Sequence, residues 1–346
     1  MLPRVGPRSY LRAAQLTLGL VVLNIVSGAA VRLSDSGLGC PDWPDCSQHH
    51  LTPPLALHPA IEFSNRLVVV ALCLAAAVVV VLALGLRPRR RDLTGLSVGL
   101  IGGILAEAVL GGVVVYSKLN PYVVMTHFMV GIGLLTVAVA LALRAGRPAG
   151  AEGAAGAARS KVTGAVRRLA RLMIGVLLLA IAAGTATTGA GPHAGGKGAK
   201  RIPVPLTDMA RTHAEIVIVL AVMTLAMLYL LERTRAPATV VTRARLLLAA
   251  MVAQGVVGYT QYFSHLPPLL VGVHVFGVTV VWTAMLWFYD GLSHHGTAEP
   301  VLGRDDSASD VVPPTPEPAP AGTAAATGKA APAVSALAAP RSGTGR

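Results

Sequence analysis

Three histidines, His127, His213 and His274, sit inside or at the mouth of apolar runs, where an ionisable side chain is costly unless it has a task. His127 follows Pro121 by six residues and His274 follows Pro268 by six, which sets each about 9 Å along its helix at a rise of about 1.5 Å per residue. His213 follows Asp208 by five residues, a depth of about 7.5 Å. Histidines at matched depth on different helices of a bundle can offer imidazole nitrogens to a flat cofactor between them, and membrane bundles hold haem iron in this way. His213 and His274 meet that condition. The bland alternative bonds each histidine to a neighbouring helix, and a matched pair within a repeat favours haem over it. Zinc fits less well, because it wants further ligands close by and neither Cys nor Asp lies at that level.

The first half carries the same frame with one ligand changed. Opposite His127 stands Asn65, a poor iron ligand, so an N-terminal cavity would hold a haem by one histidine or by something else. That asymmetry suggests one permanent cofactor and one exchangeable guest. Glu62 lies one turn outside Asn65 on the same helical face, Arg66 follows it by four residues, and the position matching Glu62 in the second half is Ala210. An acid present only beside the incomplete pair is a candidate for chemistry. On spacing alone, an interfacial Glu62–Arg66 ion pair, worth about 0.2–0.5 kcal/mol, has equal weight. Glu107, within an apolar run, reads more readily as a helix–helix hydrogen bond. Cys40 and Cys46 close the stretch Cys-Pro-Asp-Trp-Pro-Asp-Cys in an outside loop, where a disulfide is the default and redox exchange the sharper alternative. Cys73 reads as a small apolar filler and His49 and His50 as solvated surface, while His58 leads into a span beside Pro59. His193, His265, His294 and His295 carry no assignment.

The elements that must position these residues follow from composition. Of 346 residues, 53% are apolar and only 13% charged, against roughly a quarter charged in a soluble domain. Apolar runs cover Ala13 to Val31, Leu67 to Leu86, Leu93 to Ser117 around Glu107, Leu119 to Leu143 around His127, Leu172 to Pro192 and Ile216 to Leu231. A last run, Leu246 to Tyr289, divides at Pro267-Pro268. A helix needs about 20 apolar residues to cross the hydrocarbon core, so the expectation is an all-α polytopic membrane protein of eight transmembrane helices, with both termini on one side. Most of the 29 Lys and Arg fall on that side, which the positive-inside rule makes cytoplasmic. The net charge of +13 is therefore a topology signal within a lipid bilayer, and nucleic acid is excluded as a partner.

Self-similarity organises the spans. A shift of 147 residues lays Glu107 on Gln254, Gly111 on Gly258, Pro121 on Pro268 and His127 on His274. A shift of 148 lays Ile61–Asn65 on Met209–His213, and a shift of 156 lays Gly28 on Gly184. The chain thus reads as two tandem four-helix bundles, related by a pseudo-twofold axis along the membrane normal. The segments are a cytoplasmic N-terminus (1–12), an N-terminal bundle (13–143) with an outside loop (33–60), and a cytoplasmic linker (144–171). A C-terminal bundle (172–289) and a tail (290–346) complete the chain. Linker and tail are poor in core-forming residues and are expected to be disordered. Gly99, Gly102 and Gly103 suit close helix packing.

These residues resemble the haem A synthase family of respiratory membranes, of the actinobacterial type. The likeness is carried by Asn24–Arg32, by Ser36-Gly37-Leu38-Gly39-Cys40-Pro41-Asp42-Trp43-Pro44, by Glu62–Arg66, by Asn120-Pro121 followed by Met125-Thr126-His127, and by His213 and His274. The resemblance implies oxidation of the C8 methyl group of haem O to a formyl group, giving haem A for a haem-copper oxidase. It implies a haem b cofactor with iron on His213 and His274, and haem O as substrate near His127, Asn65 and Arg66. It further implies a catalytic Glu62 and a Cys40–Cys46 pair. Asn65 departs from the histidine that many members carry. The partners implied are haem O synthase and haem-copper oxidase assembly factors, with a homo-oligomer left open. Two other classes fit the same frame, a haem b electron-transfer protein and a haem-delivery protein without turnover.

Overall fold

The computed structural model describes residues 5–46, 52–147, 164–196 and 198–292. The expectations placed on His49, His50, the middle of the linker and the tail from residue 293, with His294 and His295, lie outside them. Among the described residues there are eight helices, each long and apolar enough to cross a membrane: α1 (Pro7–Leu33), α2 (Leu57–Gly85), α3 (Arg91–Tyr116), α4 (Pro121–Ala145), α5 (Gly164–Ala190), α6 (Leu206–Arg233), α7 (Ala238–Phe263) and α8 (Pro268–Gly291). Proline opens α1, α4 and α8, where its missing N–H costs nothing. The Asn120 side chain caps α4 by accepting from the Tyr122 N–H.

The duplication is visible in the packing. In the first half α1 packs on α2 and α4, and α3 packs on α2 and α4, closing a ring; α5 to α8 repeat these pairings. Between the halves, α1 meets α8, α4 meets α5, and α4 meets α8. Exchanging the halves turns the first of these contacts into the second and leaves the third unchanged, the pattern of a twofold axis between α4 and α8. At that seam Trp282 Nε1 donates to Thr136 Oγ1 at 2.9 Å. The turns between α3 and α4 and between α7 and α8 match down to the backbone. Lys118 and Leu119 (φ 52° and 60°) and His265 and Leu266 (φ 60° and 59°) all adopt the left-handed conformation, which non-glycine residues rarely take. The outer faces of the helices are coated with exposed apolar side chains such as Leu16, Val70, Leu105 and Leu172, as lipid-facing surface requires.

Several helices run past the apolar stretches. α5 begins at Gly164, inside the segment read as linker, because Val166, Ala170 and Met173 continue a buried stripe at helical spacing. α1 begins at Pro7, and its buried Tyr10 hydroxyl lies 2.9 Å from Ser97 Oγ on α3. α2 begins at Leu57, well ahead of Leu67, so His58, Glu62, Asn65 and Arg66 all stand on helix. Of the three glycines noted on α3, Gly103 admits a neighbour, with Leu134 Cδ1 only 2.8 Å from where a Cβ would sit, while Gly99 and Gly102 face open space.

The loop-bearing ends of the two halves interlock. Arg32, at the end of α1, donates to the carbonyls of His193 (2.7 Å) and Thr188 (3.0 Å) in the second half. The Gly37 N–H donates to the Gly195 carbonyl at 2.9 Å, and a Cβ on Gly37 would lie 2.9 Å from that oxygen. His193 Nε2 is 2.8 Å from the Leu266 carbonyl.

Candidate functional site

In the second half α6 and α8 bring His213 and His274 together edge-on, with ring centroids 6.4 Å apart and ring planes at 76°. An imidazole centroid lies roughly 1.1 Å behind its coordinating nitrogen, and a metal–nitrogen bond is about 2.0–2.1 Å. Two imidazoles sharing one metal ion would have centroids about 6.3 Å apart, and the spacing of this pair is of that size. His213 Nδ1 lies 2.9 Å from the Ala180 carbonyl; a carbonyl only accepts, so Nδ1 carries the proton and Nε2 is left with a lone pair for a ligand. Among the described residues, His274 Nδ1 is buried without a hydrogen-bond partner. Each ring rests on a glycine of the neighbouring helix. A Cβ on Gly184 would stand 3.1 Å from His213 Cε1, and one on Gly258 would stand 3.1 Å from His274 Cε1.

The first half repeats this seating with different chemistry. Asn65 and His127 face Gly28 and Gly111, where a Cβ would lie 3.9 Å from each side chain, an ordinary contact. Asn65 Oδ1 accepts from Ser27 Oγ at 2.6 Å, and Ser27 Oγ is also 3.1 Å from the Asn24 carbonyl. The amide is thereby tied to α1. His127 Nδ1 lies 2.9 Å from Glu107 Oε2 of α3, close in distance but off the line of a hydrogen bond. Glu107 is only 8% exposed, and its Oε1 has no hydrogen-bond partner among the described residues.

Glu62 joins α2 to the loop before it. Its Oε2 accepts from the Cys40 N–H at 2.8 Å and its Oε1 from Arg66 at 2.9 Å, and the residue is 6% exposed. The i,i+4 ion pair weighed from spacing is present, yet it is one part of a larger arrangement. The Arg66 guanidinium also donates to the carbonyls of Cys40, Asp42, Pro44 and Asp45, so it holds the loop that the Cys40–Cys46 disulfide closes. Gly39 permits the approach, because a Cβ there would lie 2.7 Å from the His58 backbone. Trp43 packs over Gly112 and accepts at its carbonyl from the Tyr116 hydroxyl at 2.6 Å, which docks the loop on α3. Ser36 Oγ is 3.0 Å from His58 Nδ1.

A cavity of about 850 Å³ runs between the halves, and Glu62, Asn65, Arg66 and His127 line it together with His213 and His274. Its volume lies toward the upper end of ligand pockets, about 300–1,000 Å³. The two sites expected as separate cavities thus open into one space. Sequence reasoning gave Glu107 little weight, named Ser27 and Arg32 only within the Asn24–Arg32 motif, and passed over the Ala180 carbonyl. For Glu107 a signal existed, since the repeat pairs it with Gln254. Gln254 Nε2 donates to the His274 carbonyl at 2.7 Å, so both positions serve the histidine of the next helix.

Fold and site together define a polytopic membrane protein of two fused four-helix bundles, with histidines set at repeated positions around a shared cavity. The chain belongs to the family described as "Cytochrome oxidase assembly protein", whose profile matches residues 12–60 and 58–195, more than half the chain. The match includes Cys40, Glu62, Asn65, Arg66 and His127 and stops short of His213 and His274, which stand on their geometry. The chain is also similar to proteins named "Heme A synthase". It is 33% identical to one from Shewanella oneidensis over 147 residues (38% of this chain, 44% of that protein). To one from Geobacillus thermodenitrificans it is 33% identical over 136 residues (38% and 42%), and to one from Lysinibacillus sphaericus 30% over 132 residues (38% and 42%). The matched stretch thus spans less than half the length of each of these relatives.

Proposed function

We propose that the chain is a haem A synthase of the cell membrane with both termini cytoplasmic. It oxidises the C8 methyl group of haem O to a formyl group, through hydroxylated intermediates, for a haem-copper oxidase. Family membership and the names of its relatives support this reading. The single observation that carries it is the His213–His274 pair, spaced for one iron, in a repeat whose other half keeps His127 and adds Glu62. Bound between His213 and His274, haem b supplies one-electron chemistry.

The chain's own residues divide the remaining work. His127 presents an imidazole to the substrate haem O, and the Ser27-bound Asn65 leaves the opposite side without a second histidine. Glu62 stands at the cavity as acceptor for a proton released in the methyl oxidation, while the two electrons removed in each oxidation step pass to an external oxidant. Its bonds to Cys40 and Arg66 fix the direction of the carboxylate. Trp43 and Pro44, on the disulfide-closed loop, wall that end of the cavity and limit water. The partners on this reading are haem O synthase as supplier and haem-copper oxidase assembly factors as recipients.

A synthase holds cofactor and substrate at once, so the test is the haem content of the purified chain after production with a haem O synthase. We expect haem b together with haem O or its oxidised products, and loss of the low-spin haem b spectrum in both His213→Ala and His274→Ala. Two copies of haem b with no farnesylated haem would instead mark an electron carrier.

A further inference from the structure

We propose that Glu107 is a positioning residue for His127 and makes an iron held there more electron-rich than the same imidazole would without the carboxylate behind it. The inference rests on the N-terminal site taking a haem. A histidine ligand is oriented, and its basicity set, by whatever accepts its other ring proton. In the second half that acceptor is a backbone carbonyl, Ala180 O on His213 Nδ1. In the first half a carboxylate stands in the equivalent role, with Glu107 Oε2 2.9 Å from His127 Nδ1. The carboxyl group is more than nine-tenths buried, and among the described residues no other basic group forms an ion pair with it.

The repeat shows that the carboxylate is not needed to join the helices. At the matching position Gln254 ties α7 to α8 through the His274 carbonyl, and the His274 ring nitrogen Nδ1 has no partner among the described residues. Glu107 Oε2 stands within hydrogen-bond distance of His127 Nδ1, and His127 lines the cavity. An axial imidazole backed by a carboxylate donates more strongly than one backed by a carbonyl, which stabilises the higher oxidation state of the iron. With Asn65 bound to Ser27, this one imidazole carries the effect.

The test uses the full chain produced with a haem O synthase, read by redox titration followed optically and by the iron–histidine stretching frequency of the ferrous state. His127→Ala first identifies the signal of the N-terminal haem. Glu107→Gln keeps the shape and installs the residue the second half uses, so folding is preserved. We expect it to shift the oxidised-to-reduced ratio of the N-terminal haem about tenfold toward reduced, a rise of about 59 mV for a one-electron couple. The iron–histidine frequency should fall, with the His213–His274 haem unmoved. Gln254→Ala should leave the N-terminal potential where it is. An unchanged potential and frequency in Glu107→Gln, even with lower thermal stability, would make Glu107 a mere helix tie and overturn the proposal. A spectrum indifferent to His127→Ala would instead overturn the N-terminal haem site on which the proposal stands.

Discussion

At the scale of single residues, the two halves differ at positions whose surroundings differ accordingly. His213 has a carbonyl at Nδ1 and a glycine under its ring, whereas Asn65 has Ser27 at its amide and a looser glycine contact. Glu62 exists in one half only, and both of its oxygens are engaged, one by the loop backbone and one by Arg66. Glu62→Gln retains an oxygen for the Cys40 N–H and removes the proton acceptor. We expect haem A formation to fall by about 10²–10⁴-fold, the usual worth of a general base, with the disulfide intact; haem extraction and a thiol assay measure the two. Full haem A formation in this variant would remove Glu62 from the chemistry. Asn65→His should convert the N-terminal haem to a low-spin, two-histidine species visible by electron paramagnetic resonance, and an unchanged spectrum would place Asn65 away from the iron.

At the scale of elements, the site depends on a loop whose form no periodicity encodes. The helices were legible, because apolar runs, prolines at helix starts and the internal repeat each leave a pattern in the sequence. The matched depths of His213 and His274 were legible for the same reason. The loop before α2 was not, since it is held by Arg66 reaching back to four backbone carbonyls, and carbonyls carry no residue identity. The start of α2 lies close to the expectation that His58 leads into the span beside Pro59, with the helix reaching outward to Leu57. Gly39→Ala tests the loop directly. A Cβ there meets the His58 backbone, and overpacking of this kind costs about 1–3 kcal/mol, so we expect a lower melting temperature and faster reduction of Cys40–Cys46. Arg66→Lys should behave similarly, because a single ammonium does not span the carbonyls that the planar guanidinium reaches. An unaltered reduction rate in both variants would detach the loop from α2.

At the scale of the whole molecule, duplication explains why one cavity serves two unlike sites. A twofold relation places equivalent positions around a common axis, so the differences at single positions, Asn65 against His213 and Glu62 against Ala210, make the two ends chemically unlike without altering the frame. The halves are locked at the loop end by Arg32, whose two carbonyl bonds belong to the class of charged hydrogen bonds worth about 1.5–3 kcal/mol each. The sequence marked Arg32 only as part of a motif, since its partners are again backbone oxygens in the other half. The arginines gathered at the opposite end give an expected orientation with both termini cytoplasmic. A fluorescent reporter fused to either end should mature in the cytoplasm, and a reporter active only outside would reverse the topology. Conversion of haem O by this chain can be measured directly. The chain should be produced beside a haem O synthase in a host that makes no haem A, and the extracted haems identified by chromatography and mass spectrometry. Haem A or its hydroxylated precursor should appear only when the chain is present; haem O recovered unconsumed beside a fully loaded protein would contradict the assignment.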